Sequence, residues 1–356
     1  MGKIIGRAWP GDRETAGFLA SLAFVCLASV RDVYLGGLFQ QSSPLSVALV
    51  AFVLCAAVFL PIAATRSPGS LRLLWDRPRE VLWINATSGL AWIAFFYALR
   101  TVEPLLVQVL FAGVGPLSIL FVDRWLRAAT PPARLGARER IAKSRSTTAL
   151  PGRSKRGGSG GPYQGPPLDR AERWVYGGLL ATLTLAGAVI ALGRSGAGPQ
   201  PLATAGLGIV LAAGAGISIS ISTVVCRSLN DDGVDPVALV GVRFLGAIAG
   251  AMTLALLTAD DFSSLRSARA AGVVVAASSL LVVFPIYVNQ VGVSLASPLT
   301  VRVALALAPV LIFGLQLAEG RLSPSPYSLA AALLYGVFAG GAALARRRAI
   351  RAARHC

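Results

Sequence analysis

Asp32 is the residue on which a chemical reading of this chain turns. It is the one carboxylate well inside a long apolar run, and an insertion cost of about 3 kcal/mol makes any charge there a functional candidate. A carboxylate in such surroundings can take up and release a proton, because desolvation raises its pKa and a nearby arginine lowers it. The competing reading is structural: Asp32 pairs with an arginine and holds its helix in place. Arg31 is not the expected partner, since neighbouring residues on a helix project about 100° apart.

Two further charges lie within apolar runs, Arg243 and Arg302. A guanidinium offers a planar fork for a carboxylate or phosphate, but both arginines fall near the starts of their runs, where a long side chain can snorkel to water. Arg302, Pro309 and Gln316 recur every seven residues and so share one helix face. Asn85, Ser88, Trp92 and Phe96 form a polar-aromatic stripe at i, i+3, i+7 and i+11, which either lines a solute path or packs as an aromatic seam. Gln108 adds an amide to the candidate path, and Tyr287, Asn289 and Gln290 end another run with a half-polar patch. Gly214, Ser218 and Ser222, with the pairs Gly246/Gly250 and Gly336/Gly340, read first as close helix packing.

Catalysis finds little footing. Asp231, Asp232 and Asp235 match the acidic DDxxD spacing of magnesium-dependent prenyl transfer, but a second acidic cluster is needed to clamp a pyrophosphate. Asp235-Pro236 reads instead as an N-cap followed by a first-turn proline. There is no HExxH, P-loop or Ser/His pair. The four cysteines, Cys26, Cys55, Cys226 and Cys356, have no metal or redox spacing. The expectation is a non-enzyme with no cofactor and no bound metal.

The elements that must position these side chains follow from composition. Hydrophobic residues make up 55% of the chain and charged residues 14%, with mean hydropathy +0.67, too few charges for the surface of a soluble domain of this length. The formal charge of +17 falls between apolar runs rather than on one face, which argues against a nucleic-acid partner. A bilayer core needs about 20 apolar residues per helix. Ten runs approach that length: Gly17–Phe39, Ser43–Ala64, Val81–Leu99, Pro104–Leu126, Trp174–Leu192, Leu202–Val225, Pro236–Leu257, Ala270–Gly292, Leu299–Leu317 and Tyr327–Ala345.

With the N-terminus inside, 25 Lys and Arg fall on cytoplasmic segments and 5 outside, or 13 against 5 without the long basic stretch. That bias places both termini in the cytoplasm. The chain therefore divides into a cytoplasmic start (1–16), four helices (17–126), a Pro/Gly/Ser/Arg-rich loop expected to be disordered (127–173), a fifth helix (174–192), five more (202–345) and a basic tail (346–356). Pro104/Pro116 in the first half match Pro298/Pro309 in the second, and SSPLSVALVAFV echoes GVDPVALVGVRFL. Five helices per half, an odd number, force the halves to insert in opposite senses, so the expected fold is an all-α membrane protein of two inverted five-helix repeats.

In these features the chain resembles the EamA-type, ten-helix members of the drug/metabolite transporter superfamily, over about Gly17 to Ala345. Pro309 leading into LAEGRLS with Glu319, and Arg243 about two turns into the second helix of its half, match the family pattern. The first half departs from it, with Asp123 after Pro116 and Ala51 at the arginine position. The resemblance implies a secondary transporter of a small organic metabolite or drug, working by alternating access without ATP, in the plasma membrane. It is expected to export and to exist as a monomer or homodimer in contact with lipid. Two other readings stay open: an exchanger or importer of an anionic metabolite using Arg243 and Arg302, and a non-transporting scaffold whose basic loop recruits lipid or a partner.

Overall fold

The computed structural model describes residues 10–40, 42–129, 170–257, 267–296, 301 and 304–355. Most of the basic stretch, 130–169, and the candidate Arg302 lie outside the described residues. All regular structure among the described residues is helical. The helices are α1 (Pro10–Leu38), α2 (Pro44–Arg66), α3 (Pro68–Trp75), α4 (Pro78–Thr101), α5 (Pro104–Ala129), α6 (Arg170–Ala191) and α7 (Leu202–Asp231). They are followed by α8 (Pro236–Val242), α9 (Leu245–Leu257), α10 (Ala268–Ala277), α11 (Phe284–Leu295), α12 (Ala308–Glu319) and α13 (Pro326–His355).

Seven stretches are long and apolar enough to cross a membrane: Thr15–Leu38, Pro44–Arg66, Pro78–Thr101, Arg170–Ala191, Leu202–Asp231, Pro236–Leu257 and Ala268–Leu295. Shorter apolar helices span Pro104–Ser118, Ala308–Glu319 and Pro326–Ala342. Large apolar side chains such as Leu82, Leu90, Val210, Leu256 and Val337 are exposed, while serines, amides and charges are buried. That inversion of a soluble protein's polarity is what a lipid solvent selects. The chain is an all-helical, multi-pass membrane protein.

Helix starts follow local chemistry. Pro44, Pro78 and Pro236 occupy first-turn positions, where a missing N–H costs nothing. Ser43 Oγ accepts from Leu45 N at 3.2 Å, and Asp235 Oδ1 accepts from Val237 N at 2.8 Å. Asp235 is thus the N-cap its sequence context predicts. The acids beside it are separately engaged, Asp231 with Arg227 and Asp232 with Arg77. Helices outrun the apolar stretches at polar ends: α1 begins at Pro10, α5 runs to Ala129, α6 starts at Arg170 and α13 reaches His355, since a helix can continue into water once its apolar part is anchored. The α3 helix was not expected; it carries an exposed Trp75 between basic residues.

The second half is less regular than the first. The run Pro236–Leu257 breaks at Arg243–Phe244, and the cause lies across the interface. Asn85 Oδ1 on α4 accepts the Gly246 N–H at 2.6 Å, replacing the carbonyl one turn earlier in the ladder. The run Ala270–Gly292 contains a π-helical segment, Ser278–Val283, of the kind that inserts a residue into an α-helix and is frequent at functional sites. The last stretch before α12 turns at Ala306–Leu307, and α12 ends on Gly320 at φ +70°, a left-handed cap that suits glycine.

Helix pairing is tight: α4 lies along α7, α1 along α11, α6 along α13 and α2 along α8, with α5 against α7 and α1 against α12. A Cβ on Gly216 would meet the Phe111 carbonyl oxygen at 2.3 Å, and one on Gly89 would meet Ala247 Cβ at 2.7 Å. These are the close approaches. Gly214, Gly250 and Gly340, expected to pack, face open space instead; a spacing of four names a helix face, not what lies against it.

Candidate functional site

Buried hydroxyls on apolar helices ordinarily return their hydrogen bond to the carbonyl four residues back, as Ser21, Ser29, Thr87 and Ser220 do. Ser88 on α4 and Ser222 on α7 do not. Their oxygens lie 2.7 Å apart, and both face Arg243 at the α8–α9 break. Arg243 Nε donates to Ser88 Oγ at 3.1 Å, and Nη2 donates to Ser88 Oγ at 3.0 Å and to Ser222 Oγ at 3.1 Å. Nη1 reaches Gln290 Oε1 on α11 at 3.5 Å. The guanidinium also sits 5.2 Å from the Phe244 ring, itself stacked on Phe52. Arg243 is 4% exposed, so the snorkelling reading is overturned: the break turns this side chain inward.

One turn along α4, about 6 Å from Ser88, Trp92 begins a second cluster. Arg31 stacks over the Trp92 ring at 4.8 Å and over Phe95 at 5.3 Å. Arg31 Nε donates to Asp32 Oδ1 at 2.7 Å, and Nη2 lies 2.7 Å from the same oxygen. This corrects the expectation that Arg31 would not partner Asp32. The two side chains do leave the helix in different directions, but the long arginine folds back across that angle, steered by the two aromatic faces. Both residues are fully enclosed.

The candidate residues divide as follows. Ser88, Arg243 and Gln290 form one cluster; Asp32 and Trp92 belong to the other through Arg31. Gln108 on α5 and Gln316 on α12 are buried on helices that pack together. Asn85 is a clip between α4 and α9, its Nδ2 donating to Val81 O, and Tyr287 is stacked on Phe59 at 5.2 Å. Several of these groups lack hydrogen-bond partners though buried: Arg31 Nη1, Asp32 Oδ2, Trp92 Nε1, Gln108 Oε1, Gln290 Nε2 and both amide atoms of Gln316. Native interiors leave few such atoms, and here they lie on five helices, α1, α4, α5, α11 and α12.

Sequence reasoning missed Glu103. It sits at the junction of α4 and α5, 3% exposed, and its Oε2 accepts from Gly196 N and from Ser328 Oγ, both at 2.7 Å. Ser325 Oγ donates to Arg194 O at 2.6 Å beside it, so the α4–α5 corner, the α6–α7 loop and the start of α13 are tied together. The only signal was an acid directly before Pro104. Burial pushes the Glu103 carboxyl above the ordinary glutamate range, against the Ser328 and Gly196 hydrogen bonds that pull it down. The native state therefore holds this proton more tightly than the unfolded chain, and the site's contribution to stability falls as pH rises through that elevated range. Glu103→Gln keeps an acceptor oxygen and should flatten the pH dependence of the melting temperature. Glu103→Ala strands two buried donors and should cost about 1–3 kcal/mol. Thermal denaturation in detergent from pH 5 to 8 reads both.

Among known proteins, no family model and no curated protein matches this chain. A solved structure, described only as the crystal structure of a protein, is similar in fold with a TM-score of 0.56 and 21% identity, over 95% of this chain and 98% of that chain. The likeness is one of fold along nearly the whole length of both.

Proposed function

We propose that this protein is a secondary transporter of a small organic metabolite, built of ten membrane helices in two inverted five-helix repeats and working outward by alternating access. The EamA-type resemblance supports this reading, and so does the pairing of helices. Take α8–α9 and α10–α11 as one helix each, and leave out α3. Exchanging every helix of the first half for its counterpart five places on then maps α4·α7 onto α11·α1, α5·α7 onto α12·α1, and α5·α6 onto α12·α13. The same exchange leaves α2·α8 and α6·α13 on themselves. Broken helices at a repeat interface are the usual place for a solute site in such transporters.

One observation carries the function: the unpartnered polar atoms of Asp32, Trp92, Gln108, Gln290 and Gln316, drawn from both halves. A packed helical interior does not retain so many unless something polar visits it. The test is flux. Purified protein in liposomes loaded with a polar metabolite extract should release particular solutes faster than protein-free liposomes, read by mass spectrometry. A folded, reconstituted protein that moves nothing would favour the scaffold reading. Cysteine labelling in intact and opened cells should find Cys356 on the cytoplasmic face; an external C-terminus would break the five-plus-five arrangement.

A further inference from the structure

We infer that the interior site takes a small organic monocarboxylate, with the carboxylate seated against Arg243 and Gln290. The inference rests on the transport reading and narrows it to a substrate class.

The argument begins with charge. Arginine does not lose its proton, so a buried guanidinium must find negative charge or sit uncompensated. Arg31 has Asp32. Arg243 has Ser88, Ser222 and Gln290, which are all neutral. Among the described residues no carboxylate lies within 4.0 Å of it; the ion pairs there join Arg31 to Asp32, Arg77 to Asp232, Arg227 to Asp231 and Arg321 to Glu319. With Arg31 and Asp32 cancelling, the paired clusters retain one positive charge. One negative charge on a ligand balances it; a phosphate dianion overshoots.

Donor geometry agrees. The serines occupy Nε and Nη2, leaving the Nη1 edge with a single long contact to Gln290 Oε1. Gln290 is 2% exposed, and its Nε2 has no partner. Arg243 Nη1 and Gln290 Nε2 are thus neighbouring donors, suited to the two oxygens of one carboxylate. A turn further along α4 lie the packed rings of Trp92, Phe95 and Phe96, the first two covered by Arg31, an apolar neighbourhood for a ligand body.

The experiment is a melting-temperature screen of the purified protein in detergent at constant ionic strength. The probes are a series of sodium monocarboxylates from formate to benzoate and hydroxybenzoate, the matching neutral amides, and inorganic phosphate. At saturation a fitting carboxylate should raise the melting temperature by about 5 °C, its amide and phosphate by much less. Arg243→Gln should abolish the shift. Gln290→Glu supplies an internal counter-ion at the same place: it should fold, melt at or above the wild-type temperature without ligand, and no longer respond to carboxylates. That variant keeps the test decisive even where Arg243→Gln fails to fold. Stabilisation by amides or phosphate in place of carboxylates, an unchanged response in Gln290→Glu, or no response from any carboxylate would overturn the inference. Liposome flux separates it from the transport reading: carboxylate binding without flux removes transport alone, whereas flux of a neutral or cationic solute that Gln290→Glu leaves intact removes the carboxylate alone.

Discussion

Asp32→Asn should sharply lower the yield of folded protein, and neutralising Arg31 as well should restore it. The single change leaves the Arg31 guanidinium buried with no anion, at a cost of about 3–5 kcal/mol, a large part of a typical folding free energy. Arg31 then retains the Trp92 and Phe95 ring faces and a neutral amide oxygen at position 32, but no anion. The pair Arg31→Gln/Asp32→Asn removes both charges and keeps a hydrogen-bonding group at each position. Expression and monodispersity on size exclusion measure the first effect and its rescue. The restored protein also separates two roles for Asp32, because it can no longer ionise. Gradient-driven accumulation should be lost while downhill exchange in liposomes persists. Full accumulation by the double variant would show that transport does not use a charge change at this position, and normal folding of the single variant would show that the ion pair is dispensable.

Gly216→Val should prevent assembly of the bundle, while Gly214→Ala, two residues away on the same helix, should be nearly silent. A Cβ at 216 lands 2.3 Å from a backbone oxygen of α5, and a carbonyl in a helix cannot turn aside as a side chain can. The helices must separate, and α7 carries Ser222 and the long seam with α4, so overpacking here costs at least the usual 1–3 kcal/mol, or roughly double with two added methyls. Gly214 has nothing within 4 Å, and alanine is the better helix former by about 1 kcal/mol. Melting temperatures in detergent decide the comparison. Equal behaviour of the two variants would mean that α5 and α7 do not meet at Gly216.

Much of the architecture was legible in the residues because a membrane imposes a length and a polarity that local composition reports directly. Among the described residues the apolar runs are largely helical, the Pro and Ser/Asp starts lie where capping chemistry puts them, and Asp235 caps α8 as its neighbours required. The buried polar candidates were legible too, since charges and amides inside apolar runs are rare. Tertiary structure decided what each of them does. Asn85, read as lining a solute path or packing in a seam, clips α4 to α9, because only the fold brings the Gly246 N–H to it. Arg31 looked wrongly placed for Asp32, because projection angles ignore how far a long side chain folds back when aromatic faces guide it. Glu103 drew no reading from the sequence, because its partners Gly196 and Ser328 lie 93 and 225 positions away. Of the glycines spaced four apart, Gly246 packs closely against Asn85 while Gly250 and Gly340 meet nothing within 4 Å, since spacing records a face while the neighbouring helix determines where contact falls. What sequence alone determined was the all-helical, multi-pass character of the chain and which polar groups lie inside apolar runs; where the helices break, and which of those groups satisfy one another, depends on contacts between distant segments that no local pattern encodes.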